Sequence, residues 1–149
     1  MTGADLIAKI LKSEGVDFMG VIPFNTLEEA GAKIGIRPLI FRQERVGVNL
    51  ADGYSRISKG EKTGVFAMQA GPGAENAFAG VATAFADSVP IFLIPASNPR
   101  NRTGVHPTFS PSNTYSSVTK WSEKVSVIES IPEMMRRSCL LYTSDAADE

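Results

Sequence analysis

A chain of 149 residues, 43% of them hydrophobic, can close one ordinary α/β domain around a core and is too short for two. With 15 Lys and Arg against 16 Asp and Glu, the formal net charge is -1, so bulk charge offers no hold on nucleic acid or an anionic membrane. The single cysteine, Cys139, excludes an internal disulfide framework and a cysteine-based zinc site.

The first element is predicted to be a helix. Thr2 caps it, Asp5 completes the cap, Leu6, Ile7, Ile10 and Leu11 form its apolar face, and Gly15 ends it. This capped amphipathic opening lacks a basic leader followed by an apolar core, and no apolar run approaches the roughly 20 residues that cross a bilayer. A cytoplasmic location is the expectation.

Phe18 to Ile22 reads as a buried strand stopped by Pro23, after which Asn25 and Thr26 are expected to cap a short helix over Leu27 to Lys33. The alternation then repeats. Strand Pro38 to Arg42 leads to helix Arg45 to Ser58, strand Thr63 to Gln69 to helix Ala74 to Asp87, and strand Pro90 to Ala96 follows. Such alternation predicts an α/β fold: a doubly wound, mostly parallel sheet with helices on both faces, a flavodoxin-like three-layer sandwich.

Ser97 to Ser117 turns to Pro, Gly, Ser, Thr and Asn with scattered apolar residues, the composition of an exposed loop, for which a functional or an interface role is the expectation. Lys124 to Ile128 is expected as a last strand. Ser130 with Glu133 makes a capping box for a helix through Met134 and Met135. The domain is placed at residues 1–138, with 139–149 as a non-native or disordered tail; an ordinary frayed terminus is the alternative.

In open parallel sheets ligands bind outside the carboxyl ends of the strands. The segments there are Pro23-Phe24-Asn25, Gln43-Glu44, Gln69-Ala70-Gly71-Pro72-Gly73 and the loop after Ala96. Glu44 is the only carboxylate in the first three. Position alone leaves it a structural explanation, since a carboxylate in a first helical turn interacts favourably with the macrodipole. The Gly71-Pro72-Gly73 turn likewise suits a tight bend, and it is neither a P-loop nor a dinucleotide fingerprint. Asp52 and Arg56 sit four apart on one helix and are expected to pair, Phe78, Val81 and Phe85 to join the core, and His106, Arg100 and Arg102 to be solvated loop residues.

Several segments in order carry a family resemblance. They are Thr2-Gly3-Ala4-Asp5, Gly20-Val21-Ile22-Pro23, Arg42-Gln43-Glu44 with Ala51-Asp52-Gly53-Tyr54-Ser55-Arg56 behind it, Gly71-Pro72-Gly73-Ala74-Glu75-Asn76, Asp87-Ser88-Val89-Pro90 and Thr119-Lys120-Trp121. Together they resemble the N-terminal pyrimidine-binding domain of thiamine-diphosphate-dependent enzymes of the acetolactate synthase and benzoylformate decarboxylase type. The resemblance covers residues 2 to about 137. It departs from the family at Gln43, which replaces a frequent histidine, and at Pro23-Phe24-Asn25, which replaces a Pro-Gly turn. Both border the substrate end of the site, so the 2-oxo acid used is left open.

The resemblance implies Glu44 as the catalytic residue, exchanging a proton with the pyrimidine ring of thiamine diphosphate, and Pro23, Gly73 and Asn76 beside it as cofactor-binding residues. It implies Mg²⁺ and the diphosphate held by a second domain, whose Gly-Asp-Gly motif does not occur in this sequence, with FAD possible in a full-length protein. No metal site is expected within the chain. The implied partners are a diphosphate-binding domain of the same or another chain, a homodimer or homotetramer, and a small 2-oxo acid. Three readings stand: the N-terminal domain of an acetolactate-synthase-like chain, a separate small subunit of a split 2-oxo acid decarboxylase, or a non-catalytic flavodoxin-like binding module. In the enzyme readings the isolated domain is expected to be inactive.

Overall fold

The computed structural model describes residues 1–107 and 109–143. Its elements run α1 (Gly3–Ser13), β1 (Phe18–Ile22), α2 (Asn25–Lys33), β2 (Arg37–Ile40), α3 (Glu44–Ile57), β3 (Gly64–Met68), α4 (Pro72–Ala86), β4 (Ile91–Pro95), α5 (Pro111–Thr114) and α6 (Ile131–Thr143). The four strands form one parallel sheet in the order β2-β1-β3-β4. The expected α/β architecture is the one observed.

The local rules explain how α1 begins and ends. Thr2 Oγ1 accepts from the Asp5 amide at 3.2 Å while Asp5 Oδ2 accepts from the Thr2 amide at 2.7 Å, so two orphan donors of the first turn are satisfied reciprocally. At the other end Gly15 takes φ +81° and its amide bonds Lys12 O, a left-handed cap that glycine adopts without a Cβ clash.

Because consecutive strand residues point to opposite faces, β1 and β3 feed two cores. Met19, Val21, Val65 and Ala67 pack with Ala8, Leu11, Leu27, Ala30, Ile131 and Met135 of α1, α2 and α6. Ile22, Phe66 and Met68 pack on the opposite face with Val48, Ala51, Ala74, Ala77 and Val81 of α3 and α4. Both faces of the central strands are therefore covered, which is why β3 is apolar and buried along its whole length.

Several expectations are corrected. Asn25 and Thr26 do not cap α2 but lie within it, behind Phe24, which makes no side-chain cap bond. Lys124 to Ile128 forms no strand. Val125, Val127 and Ile128 are exposed, and the segment is tied to the 100–103 turn by Lys124 Nζ to Thr103 Oγ1 at 3.1 Å and by Arg100 to the Ser126 carbonyl. Its alternating pattern finds no face to bury. The Ser130 hydroxyl donates to Val127 O at 2.8 Å and the Glu133 carboxylate takes Arg136 at 2.9 Å, so neither closes a capping box as expected.

Phe85, expected in the core with Phe78 and Val81, is half exposed at 49%. It lies near the end of α4 beside the free edge of β4, where a trough of about 1070 Å³ runs between the sheet, the 97–125 segment and α6. The proposed boundary at residue 138 falls inside α6, where Cys139 is buried; residues 144–149 of the expected tail lie outside the described residues.

Candidate functional site

All four strands point the same way, so the segments following them gather at one edge of the sheet. Two helices start there side by side: α3 with Glu44 as its first residue, after β2, and α4 after β3. The turn into α4 needs Gly71 at φ +63°, and Pro72 then occupies the first helical position, where its missing N–H costs nothing.

The height of α3 over the sheet is set by glycines. A Cβ on Gly64 of β3 would overlap the backbone of Ala51, and one on Gly47 would overlap the Phe66 ring. Strand and helix therefore touch backbone to backbone, and the buried Ser55 hydroxyl accepts the Gly64 amide at 2.8 Å. This close seat fixes where Glu44, two turns before Ala51, projects.

Glu44 is 7% exposed, one of two buried polar or charged residues among those described. Asn76, on the exposed side of α4's first turns, donates its Nδ2 hydrogen to Glu44 Oε2 at 2.6 Å. A Cβ at Gly73 would stand 3.2 Å from Glu44 Oε1 and 2.6 Å from Gln69 Cγ, so the missing side chain keeps the space beside Oε1 clear. Among the described residues Oε1 accepts no hydrogen bond, and it is not counted with the enclosed unsatisfied atoms, of which Thr63 Oγ1 is the one case. One carboxylate oxygen is thus tied to the protein and the other is open to a donor. That arrangement leaves an acceptor on a largely buried carboxylate for a donor arriving at Oε1.

A residue missed in the sequence completes the surroundings. Tyr115, in the stretch expected as an exposed loop, is buried, and its hydroxyl donates to the Ala74 carbonyl in the turn that carries Gly73 and Asn76. Its ring packs near Phe78 and Phe109, with centroids at 6.1 and 6.4 Å. Burial first, and the nearby Glu44 charge second, push the phenol above its ordinary value, so it stays neutral at physiological pH. The only signal in the sequence was Phe109 and Tyr115 within an otherwise polar stretch.

Of the four expected site residues, the structure brings Glu44, Gly73 and Asn76 together. Pro23 stands exposed at the same edge, following Ile22, which pairs with Met68; no hydrogen bond links it to the other three among the described residues. Asp52 and Arg56 pair at 3.0 Å as expected, and Arg56 also reaches Asp87 at 2.7 Å, tying α3 to the end of α4. His106 and Arg102 are exposed. Among the described residues no group of three His, Cys, Asp or Glu gathers as a metal site would require, and the large trough along β4 does not include Glu44.

Residues 1–118 match the family model described as "Thiamine pyrophosphate enzyme, N-terminal TPP binding domain". The chain belongs to this thiamine pyrophosphate enzyme family, as its N-terminal domain. Among similar members, the chloroplastic acetolactate synthase of Arabidopsis thaliana is 32% identical over 149 residues, covering 95% of this chain and 22% of that protein. The acetolactate synthase large subunit of Haemophilus influenzae is 35% identical over 98 residues, 63% of this chain and 17% of that one. The probable 2-ketoarginine decarboxylase of Pseudomonas aeruginosa is 30% identical over 153 residues, 97% of this chain and 27% of that one. This thiamine pyrophosphate enzyme domain therefore spans only about a sixth to a quarter of these relatives. No helix among its described residues is long and apolar enough to cross a membrane.

Proposed function

We propose that this domain binds the aminopyrimidine ring of thiamine diphosphate and activates the cofactor through Glu44, within an enzyme that acts on 2-oxo acids by acetolactate-synthase-like carboligation or by decarboxylation. The observation that carries this is the buried Glu44 carboxylate at the helix-start edge of the sheet, with Oε2 tied to Asn76 and Oε1 open. When bound, the cofactor supplies an acidic carbon and an electron sink, while placement and proton handling belong to the protein. Glu44 holds a proton at Oε1 and passes it to and from the ring nitrogen. Gly73 leaves room for the ring edge, and Pro23 borders the same space.

The diphosphate and its Mg²⁺ call for oxygen ligands beyond those gathered here, so a diphosphate-binding domain is the proposed partner, in a dimer or tetramer with the site at the interface. A cytoplasmic location, and FAD in a longer protein, remain part of this proposal. Synthase and decarboxylase names both occur among the relatives, and product analysis with pyruvate and longer 2-oxo acids separates the two activities.

The test joins the domain to a matching diphosphate-binding domain and measures cofactor binding by titration calorimetry and exchange of the cofactor's C2 proton. Glu44→Gln is expected to keep binding and slow exchange about 10²- to 10⁴-fold, the range for losing one positioned acid-base group. Exchange at the wild-type rate in Glu44→Gln refutes the activator role. Failure of either form to bind favours the binding-module reading.

A further inference from the structure

We propose that Asn76 is a positioning residue that confines the proton traffic of Glu44 to Oε1; this rests on the reading of Glu44 as activator. A glutamate side chain has three rotatable bonds, and a carboxylate offers two oxygens with about four acceptor sites between them. A base with such freedom presents either oxygen. Here the choice is made by the protein.

Asn76 Nδ2 donates to Oε2 at 2.6 Å, a short hydrogen bond, and among the described residues it is the only side chain that donates to this carboxylate. A proton placed on Oε2 would turn it into a hydroxyl oxygen, a poorer acceptor, and weaken that hydrogen bond. Protonation at Oε2 is therefore disfavoured, and an amide neither takes nor releases a proton in this pH range. The exchangeable proton is left to Oε1, the oxygen that Gly73 leaves uncovered. The Tyr115 phenol feels the Glu44 charge; held neutral by burial, it does not compete for the proton.

The arrangement also requires that α3 and α4 begin at one level. Glu44 opens α3 and Asn76 sits in the early turns of α4, with Tyr115 holding the Ala74 carbonyl between them. Asn76 itself is exposed, so its replacement removes a donor without opening the core.

Two readouts test the assignment. In the chain alone, without cofactor, the Asn76 side-chain amide signals in a ¹⁵N NMR spectrum are expected to shift with pH along the ionisation of Glu44, and to lose that dependence in Glu44→Gln. In the protein joined to its diphosphate-binding domain, Asn76→Ala is expected to slow C2 proton exchange about tenfold with cofactor affinity changed less than about twofold. Asn76→Asp sets a second carboxylate against Oε2, so a proton is shared between them and the acid side of the exchange profile moves up by about one pH unit or more.

A donor that only supports the fold still senses Glu44 ionise, but its loss in Asn76→Ala leaves C2 exchange at the wild-type rate. Amide signals that ignore Glu44 ionisation, or wild-type exchange with an unmoved profile in both Asn76 variants, overturn the proposal. If Glu44→Gln still abolishes exchange in that second case, the activator reading survives and only the Asn76 role is lost; if Glu44→Gln exchanges normally, the activator reading has failed first.

Discussion

Replacing Gly64 by alanine adds one methyl group where strand and helix meet without side chains. The new Cβ would overlap the carbonyl oxygen, Cα and carbonyl carbon of Ala51, and backbone cannot rotate aside as a side chain can. To restore van der Waals separation α3 must retreat from β3 by about 1 Å. Overpacking of this severity costs up to about 3 kcal/mol. The retreat also breaks the buried bond from the Gly64 amide to the Ser55 hydroxyl, a further contribution of about 1 kcal/mol. Restricting the unfolded chain offsets about 0.5 kcal/mol. The expected loss is roughly 3–4 kcal/mol, a fall in Tm of roughly 10 °C for a domain of this size.

The control is the same chemical change on α3 itself. Gly53, inside α3, has nothing within 4 Å of an added Cβ, so Gly53→Ala is expected to stabilise by up to about 1 kcal/mol through helix propensity alone. Urea titrations followed by far-UV circular dichroism measure both. A Gly64→Ala variant within about 0.5 kcal/mol of wild type, or two variants with the same sign, would refute the backbone-to-backbone seat and with it the account of how Glu44 is placed.

Tyr115→Phe removes the bond to the Ala74 carbonyl, which keeps its own helical partner, so a loss of about 1 kcal/mol is expected in the same titration. Because the folded phenol is raised above its unfolded value, stability present below about pH 10 should decline as pH rises above it, and Tyr115→Phe should flatten that decline in alkaline melting curves. Asp5 has the opposite sign: hydrogen bonds with the Thr2 backbone and side chain hold its carboxyl below its ordinary value of 3.8, so the cap persists at neutral pH and fades as pH falls through that lowered value, a loss absent in Asp5→Asn by acid titration. Gly73→Ala should leave the fold within about 1 kcal/mol, since Gln69 can swing away, yet weaken thiamine diphosphate binding about tenfold by crowding Oε1; unchanged affinity in calorimetry would place the ring elsewhere.

Much of this molecule was legible in the chain. Apolar runs of strand length alternating with capped helices determine a parallel sheet covered on both faces, because neither the strands' two apolar faces nor the helices' stripes can be buried otherwise. The same alternation places Glu44 and Gly73 at the carboxyl edge, and their flanking motifs point to the family. What the sequence did not reveal depends on contacts between distant residues. Asn76 also gives its amide to Glu44, a partner the sequence did not indicate; Tyr115, read as part of an exposed loop, is buried under the start of α4. The valines of Lys124 to Ile128 have strand spacing but no covered face, and Phe85 has core spacing but lies beside the open edge of β4. Periodicity states which side chains share a face, a local property of 2 or 3.6 residues per turn. Whether another element comes to cover that face, and which of two carboxylate oxygens is left free, is decided only when the helices are seated on the sheet, here by glycines that let backbone meet backbone.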